Sequence, residues 1–264
     1  MLMKQLNLKK LALLGFFVSL WPCSVKAMDY SPLSFPNSHP KSFLTPTGWG
    51  ASNGTVFLAA GITSPAPYSN KTDGGIMAGV GIGNPYDSVG LQVGVVNYDL
   101  SDWERIGVNL HLHRYLGSGS SIAIGAENLM ITGADLTDAD ESYYVVFSQG
   151  LLDKVEVNKE TSRTKLHYSI GIGKGRFSEK SPDDVADGKG KDGTWVFGNI
   201  AYELFDECNI ICEWDGRNLS AALGKTFFIS NSVPVAVTVG LADLTDNSGD
   251  GVRFIAGIST ALWR

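Results

Sequence analysis

The sequence has 264 residues, 44% of them hydrophobic and 18% charged, with 31 Gly, 12 Phe, 9 Tyr and 6 Trp. That apolar content is ample for a core and excludes a disordered or collagen-like chain. A formal charge of −6 argues against nucleic acid as a partner.

The chain opens with an export signal. Lys4, Lys9 and Lys10 precede an apolar run from Leu11 to Leu20, followed by Ser24-Val25-Lys26-Ala27. A basic start, a short apolar stretch and small residues at Val25 and Ala27 predict a signal peptide over 1–27, cleaved before Met28. The apolar run is too short to span roughly 30 Å of hydrocarbon as a helix. Loss of 1–27 removes four Lys and no acid, so the charge of −6 becomes −10. Cys208 and Cys212 are then the remaining cysteines. On one strand they would sit about 13 Å apart, too far for a disulfide.

Residues 28–53 are rich in Pro, Ser and aromatics and predict an extended segment without regular structure. From 54 onward the period is two. Ile106, Val108, Leu110 and Leu112 alternate with Gly107, Asn109, His111 and His113; Leu166, Tyr168, Ile170 and Ile172 alternate with His167, Ser169, Gly171 and Gly173. Twelve such segments are expected near 54–62, 75–83, 88–98, 104–114, 120–129, 142–150, 164–174, 194–204, 207–215, 218–227, 233–241 and 251–263. The eighth is ambiguous, because Trp195 and Phe197 oppose Val196, Ile200 and Tyr202. The non-apolar face is mostly Gly, Ser and Asn rather than Lys, Glu and Thr. This suits a lumen, and the apolar face suits lipid, so the fold class is all-β: a twelve-stranded antiparallel up-and-down transmembrane β-barrel. The competing expectation is a soluble periplasmic barrel or sandwich.

An internal duplication points the same way. Asp73-Gly74, Gly79 and Asp87 match Asp192-Gly193, Gly198 and Asp206 at an offset of 119. Ile122 and Ile124 match Val235 and Val237 at 113, and Ala134 to Asp138 recurs as Ala242 to Asp246 at 108. The series predicts two six-strand repeats joined by 151–163, with short and long connections alternating and both termini on the periplasmic side.

From Pro46-Thr47-Gly48-Trp49-Gly50 to the Asp-Leu-Thr-Asp before the last strand, the chain resembles small bacterial outer-membrane β-barrel proteins, porin-like and of uncharacterised role. Such barrels usually end in an aromatic residue, whereas Trp263 is followed here by Arg264. The resemblance implies outer-membrane lipid as surroundings and brings no catalytic motif.

Enzymatic signatures are weak. Gly224-Lys225-Thr226 mimics the end of a phosphate loop, but Leu219 stands where its first Gly belongs. The topology places no Ser, His and acid together, so no enzyme and no cofactor are expected. His111, His113, Lys165 and His167 should share the lumen face near the periplasmic end, as a basic or pH-sensitive constriction. Arg105, Glu127, Asp215 and Arg253 should lie nearer the outer mouth, where they would select solutes electrostatically. Acidic loops hold Asp135, Asp138 and Asp140; Asp183, Asp184, Asp187 and Asp192; and Asp243, Asp246 and Asp250. The last trio is a weak candidate for Ca²⁺, since clustered carboxylates supply hard oxygen ligands. The leading expectation is a small passive pore for ions or small solutes, with 28–53 folded into the lumen or across its periplasmic mouth. The alternative is a non-conducting surface barrel whose acidic loops bind a polysaccharide, a cell surface or divalent cations.

Overall fold

The computed structural model describes residues 40–264 apart from 53, 69, 101–102, 104, 133–140, 152–156, 159–162, 230–232 and 264. Twelve long strands form one closed antiparallel barrel in sequence order. They are β1 Thr55–Ser64, β2 Asp73–Gly83, β3 Gly90–Asn97, β4 Ile106–Gly117, β5 Ser120–Leu129 and β6 Ser142–Gly150, then β7 Leu166–Lys174, β8 Val196–Phe205, β9 Cys208–Trp214, β10 Leu219–Ile229, β11 Val233–Ala242 and β12 Arg253–Trp263. Closure comes from β1, which pairs with β2 on one side and with β12 on the other, from Thr55 opposite Trp263 to Ser64 opposite Phe254. All twelve expected segments are strands, with bounds shifted by a few residues.

Alternation sorts the side chains by environment. Ile124, Ile170, Ile172, Ile200, Leu223 and Ile258 point outward and are exposed, while Asn109, His111, Ser148, His167, Asn199 and Glu213 point inward and are buried. A barrel with its apolar side chains outside and its polar ones inside is stable only with hydrocarbon around it. Ring closure leaves no strand edge, which is the condition for crossing lipid with β structure. The eighth strand resolves in the same way: Phe197, Asn199 and Ala201 face inward, and Val196, Ile200 and Tyr202 face lipid.

The connections differ between the two rims. On the rim that also holds the strand ends nearest both termini, β4 and β5 are joined by Ser118-Gly119, both at positive φ, the twist that a two-residue hairpin requires. On the opposite rim several connections are longer, among them 65–72, 175–195 and 243–252. The one after β7 makes a 3-10 turn at Gly175–Phe177 and a short helix, α1, at Pro182–Ala186, with Ser181 and Asp184 forming a capping box.

Glycines on the inner wall make room for rings. Gly79, Gly125 and Gly171 stand directly across from Phe57, Tyr144 and Phe197 in neighbouring strands. A Cβ at Gly125 or Gly171 would lie 2.1 or 2.2 Å from the facing ring, so those rings lie flat against the wall because their partners lack one. The inward glycine face thus packs against aromatic rings instead of simply widening a bore.

Candidate functional site

Residues 40–52 lie inside the barrel, and their backbone is bonded by the inner wall. Phe43, Leu44, Trp49 and Ala51 are buried, as are Lys41, Ser42, Thr45 and Thr47. Pro and small residues keep this stretch out of regular structure, so its amides and carbonyls need partners from elsewhere. The wall supplies them. Ala51 N–H donates to Gln92 Oε1 of β3 at 3.0 Å, and Gly48 N–H donates to Ser148 Oγ of β6 at 2.7 Å. Ser121 Oγ of β5 donates to Gly48 O at 2.6 Å.

Glu213 of β9 carries the densest set of these contacts. Its carboxylate accepts from the N–H groups of Phe43, Leu44 and Thr45 and from the hydroxyls of Ser42 and Thr45. Three successive amides turned toward one carboxylate form an anion-binding concavity. Nearby, Lys41 Nζ donates to Asn209 Oδ1 at 2.8 Å, and Asn199 Nδ2 donates to Thr45 Oγ1 at 3.0 Å.

The histidines are part of the same arrangement. His111 Nε2 lies 3.1 Å from Trp49 O and His113 Nε2 lies 3.0 Å from Ala51 O. A carbonyl oxygen only accepts, so each ring donates its Nε2–H, and neutral His111 then accepts at Nδ1 from Tyr144 Oη, 2.8 Å away. The two rings stack with centroids 5.4 Å apart, over Gly50, where a Cβ would come within 2.7 Å of both. His167 bonds Thr164 Oγ1 at 2.8 Å and meets the Trp49 ring edge-on. The rings that the sequence places in a titrating constriction are therefore bonded to the inner segment or its surroundings instead of being solvated. Lys165 is half-buried next to this group, and its carbonyl accepts from Glu203 N–H.

Toward the other rim the lumen is filled by the connection after β7. Phe177 stacks on Phe197 at 4.3 Å and meets Tyr144 edge-on, and the Arg176 guanidinium lies over the Phe177 ring. Arg176 grips Glu127 through both Nε and Nη2, at 2.6 and 3.2 Å. That pairing holds Arg176 more basic than usual, against the opposing effect of its burial.

The expected mouth residues are consumed in similar pairs. Arg105 Nη2 bonds Asp99 at 2.9 Å, Arg253 Nε bonds Asp243 at 2.6 Å, and Asp215 accepts from the N–H groups of Arg217 and Asn218. These groups lie near the rim and face one another and the loops. The weak calcium trio does not converge. Asp243 serves Arg253 and Asn218, Asp246 pairs with Lys189, and Asp250 is exposed. Among the described residues no group of three His, Cys, Asp or Glu side chains is placed to hold a metal ion. Asp135, Asp138 and Asp140 lie outside the described residues.

Asp184 ties three far-rim connections together. It accepts from Ser248 Oγ at 2.6 Å and from Gly249 N–H at 2.7 Å, while Tyr68 Oη accepts from Ser181 Oγ and Gly249 N–H. Burial raises the Asp184 carboxyl, but the hydrogen bonds from Ser248, Tyr68, Gly249 and Ser181 outweigh it and hold the group below the ordinary carboxylate range.

No family model matches this sequence, and no curated protein matches it. Solved structures with a similar strand path include the KdgM porin, 11% identical, covering 78% of this chain and 97% of that one with a TM-score of 0.44. The NanC porin is 9% identical, covering 79% of this chain and 99% of that one with a TM-score of 0.45. The outer membrane phospholipase A from Escherichia coli is 12% identical, covering 79% and 89% with a TM-score of 0.43. One is an enzyme and two are porins, so the likeness is one of strand path alone. Among its described residues, this chain itself forms a closed antiparallel barrel of twelve long strands.

Proposed function

We propose that this protein is a bacterial outer-membrane channel for ions or small solutes, closed by its own residues 40–52. The observation that carries the reading is the chemistry of the inner wall. Gln92, His111, His113, Ser121, Ser148 and Glu213 are polar groups from five strands, and each bonds the backbone of a segment that has no strand partner of its own. A lumen serving only as a core has little to gain from polar groups, because a bonded polar pair contributes less on burial than well-packed apolar side chains do. A polar wall accepts water in place of the segment at small net cost, which is what a reversible plug requires. The expected signal peptide over 1–27 and the outward apolar face of the barrel support the outer-membrane reading.

The test is single-channel conductance of the mature full-length protein in a planar bilayer. The unmodified chain should be mostly closed, with brief openings. Gln92→Ala combined with Ser148→Ala removes two acceptors of the segment's amides and should lengthen or multiply those openings. Silence from both proteins, with insertion confirmed by the mobility difference between boiled and unboiled samples, would refute the channel. It would favour a non-conducting surface barrel, the reading that the tying of three far-rim connections through Asp184 supports.

A further inference from the structure

The contacts of Glu213 bear on what such a channel would pass. On the inner wall, Arg105 is matched by Asp99, Arg176 by Glu127 and Arg253 by Asp243. Glu213 differs from these acids. It is buried, and among the described residues no cation forms an ion pair with it; the donors that satisfy it belong to Ser42, Phe43, Leu44 and Thr45. Its neighbours across the sheet are Asn199 in β8 and Ser220 in β10, both in direct register. Among the described residues, Asn199 Oδ1 and Ser220 Oγ have no hydrogen-bond partner, although the two residues are only 4% and 0% exposed. Three oxygen-bearing side chains thus stand in one row across the wall, two of them with spare capacity.

Departure of residues 40–52 changes the charge of this region in one direction. It takes away Lys41, whose ammonium lies on Asn209 of the same strand, and it takes away the amides that neutralise Glu213. Glu203 and Glu207, buried at the turn end of the β8–β9 hairpin, add carboxylates at the near end of the same strands. A carboxylate in a narrow lumen with low-dielectric walls attracts cations and repels anions over several ångströms. Oxygen ligands from Asn199 and Ser220 complete a site for a partly hydrated monovalent cation.

We infer that Glu213, flanked by Asn199 and Ser220, is the cation-selecting group of the open channel, and that the amides of residues 43–45 occupy its site when the channel is closed. The proposal rests on the reading of residues 40–52 as a removable plug. One carboxylate therefore has two functions, latch and filter.

The test uses the full-length Gln92→Ala/Ser148→Ala protein, which keeps Glu213, in a bilayer under a KCl gradient. Its openings should reverse on the potassium side of zero. Adding Glu213→Gln should move the reversal potential toward zero and lower the potassium-to-chloride permeability ratio several-fold, whereas adding Glu213→Asp should preserve the preference. Openings that favour chloride, or a preference that Glu213→Gln leaves unchanged, would overturn the inference while leaving the channel intact. Absence of any opening in the Gln92→Ala/Ser148→Ala protein, shown by its gel mobility to be folded, would overturn the plug reading and this inference with it.

Discussion

Replacing Glu213 with Gln in the otherwise unmodified chain isolates the latch. Five donors from Ser42 to Thr45 converge on the carboxylate, shared between Oε1 and Oε2. A glutamine keeps one carbonyl oxygen and puts an NH₂ group in place of the other. If that NH₂ takes the Oε2 position it faces the Leu44 and Thr45 amides, donor against donor; the flipped rotamer shifts the conflict to Ser42 and Phe43. Each amide left without an acceptor costs about 1–3 kcal/mol, and the bonds that survive fall from charged to neutral strength. Relief of the carboxylate's desolvation offsets part of this. A net loss of about 2 kcal/mol corresponds to a rise of roughly 30-fold in the ratio of open to closed channel. Single-channel recording of the full-length protein measures that ratio directly, and gel mobility before and after boiling shows whether the barrel is intact. An open probability equal to or below that of the unmodified chain, with a folded barrel, would refute the argument that Glu213 holds the segment in place.

Three further outcomes follow from the same contacts. Gly50→Ala places a methyl within 2.7 Å of the stacked His111 and His113 rings, and should cost the closed state about 1–3 kcal/mol, raising open probability roughly tenfold without lowering barrel stability; unchanged gating would show that the rings yield freely. Glu127→Gln leaves buried Arg176 without its carboxylate, a loss of about 3–5 kcal/mol, so hydrogen exchange should accelerate at Gly175–Phe177 while the strand amides stay protected. Asp184 is held below its ordinary value, so the far-rim tie is fully stabilising above the unfolded carboxylate pKa near ~3.9 and weakens as pH falls through the lower folded value. Limited proteolysis of the 178–195 connection should therefore rise only in strong acid, and Asp184→Asn should bring that cleavage to neutral pH; cleavage that increases on going from pH 5 to pH 8 in the unmodified protein would contradict the sign.

The strands were legible because lipid imposes a simple rule on one face. Every second residue on strands such as β4 and β7 had to be apolar, and that alternation is visible without knowing any contact. Strand β8 blurred it because Phe197 is an inward apolar residue, which the wall admits by pairing it with Gly171 and stacking it on Phe177. The site was less legible. His111, His113 and His167 could be placed on the inner face by counting, yet their partners are backbone carbonyls and a hydroxyl, which leave no pattern in a sequence. Glu213 went unremarked for the same reason. It reads as an ordinary lumen charge until the amides of Phe43, Leu44 and Thr45, some 170 residues earlier, are brought against it. Arg105, Glu127 and Arg253 read as separate charges of the outer mouth, and the ion pairs that occupy them depend on loop paths that alternation does not determine.

The balance between apolar and polar contacts explains how one segment can fill the lumen and still be expected to leave it. Phe43, Leu44 and Trp49 bury apolar side chains that would each favour the closed state by about 1.5–3 kcal/mol if they became fully exposed on leaving. Ordering a dozen residues opposes this at about 1–2 kcal/mol per residue, a cost larger than the three side chains recover. The hydrogen bonds to Gln92, Ser121, Ser148, His111, His113 and Glu213 must therefore supply much of the closure. Neutral bonds add only about 0.5–1.5 kcal/mol each because the same groups bond water when the lumen is hydrated. The carboxylate is the exception, since charged hydrogen bonds are worth about twice as much. Closure is thus concentrated at Glu213, and any ligand that competes for that carboxylate biases the channel toward opening. A permeating cation is such a ligand: it binds the open form at Glu213 and cannot bind there while the amides of residues 43–45 do. Open probability should accordingly rise with potassium concentration in the unmodified protein and lose that dependence in Glu213→Gln, a coupling that a plug held by apolar packing alone would not show.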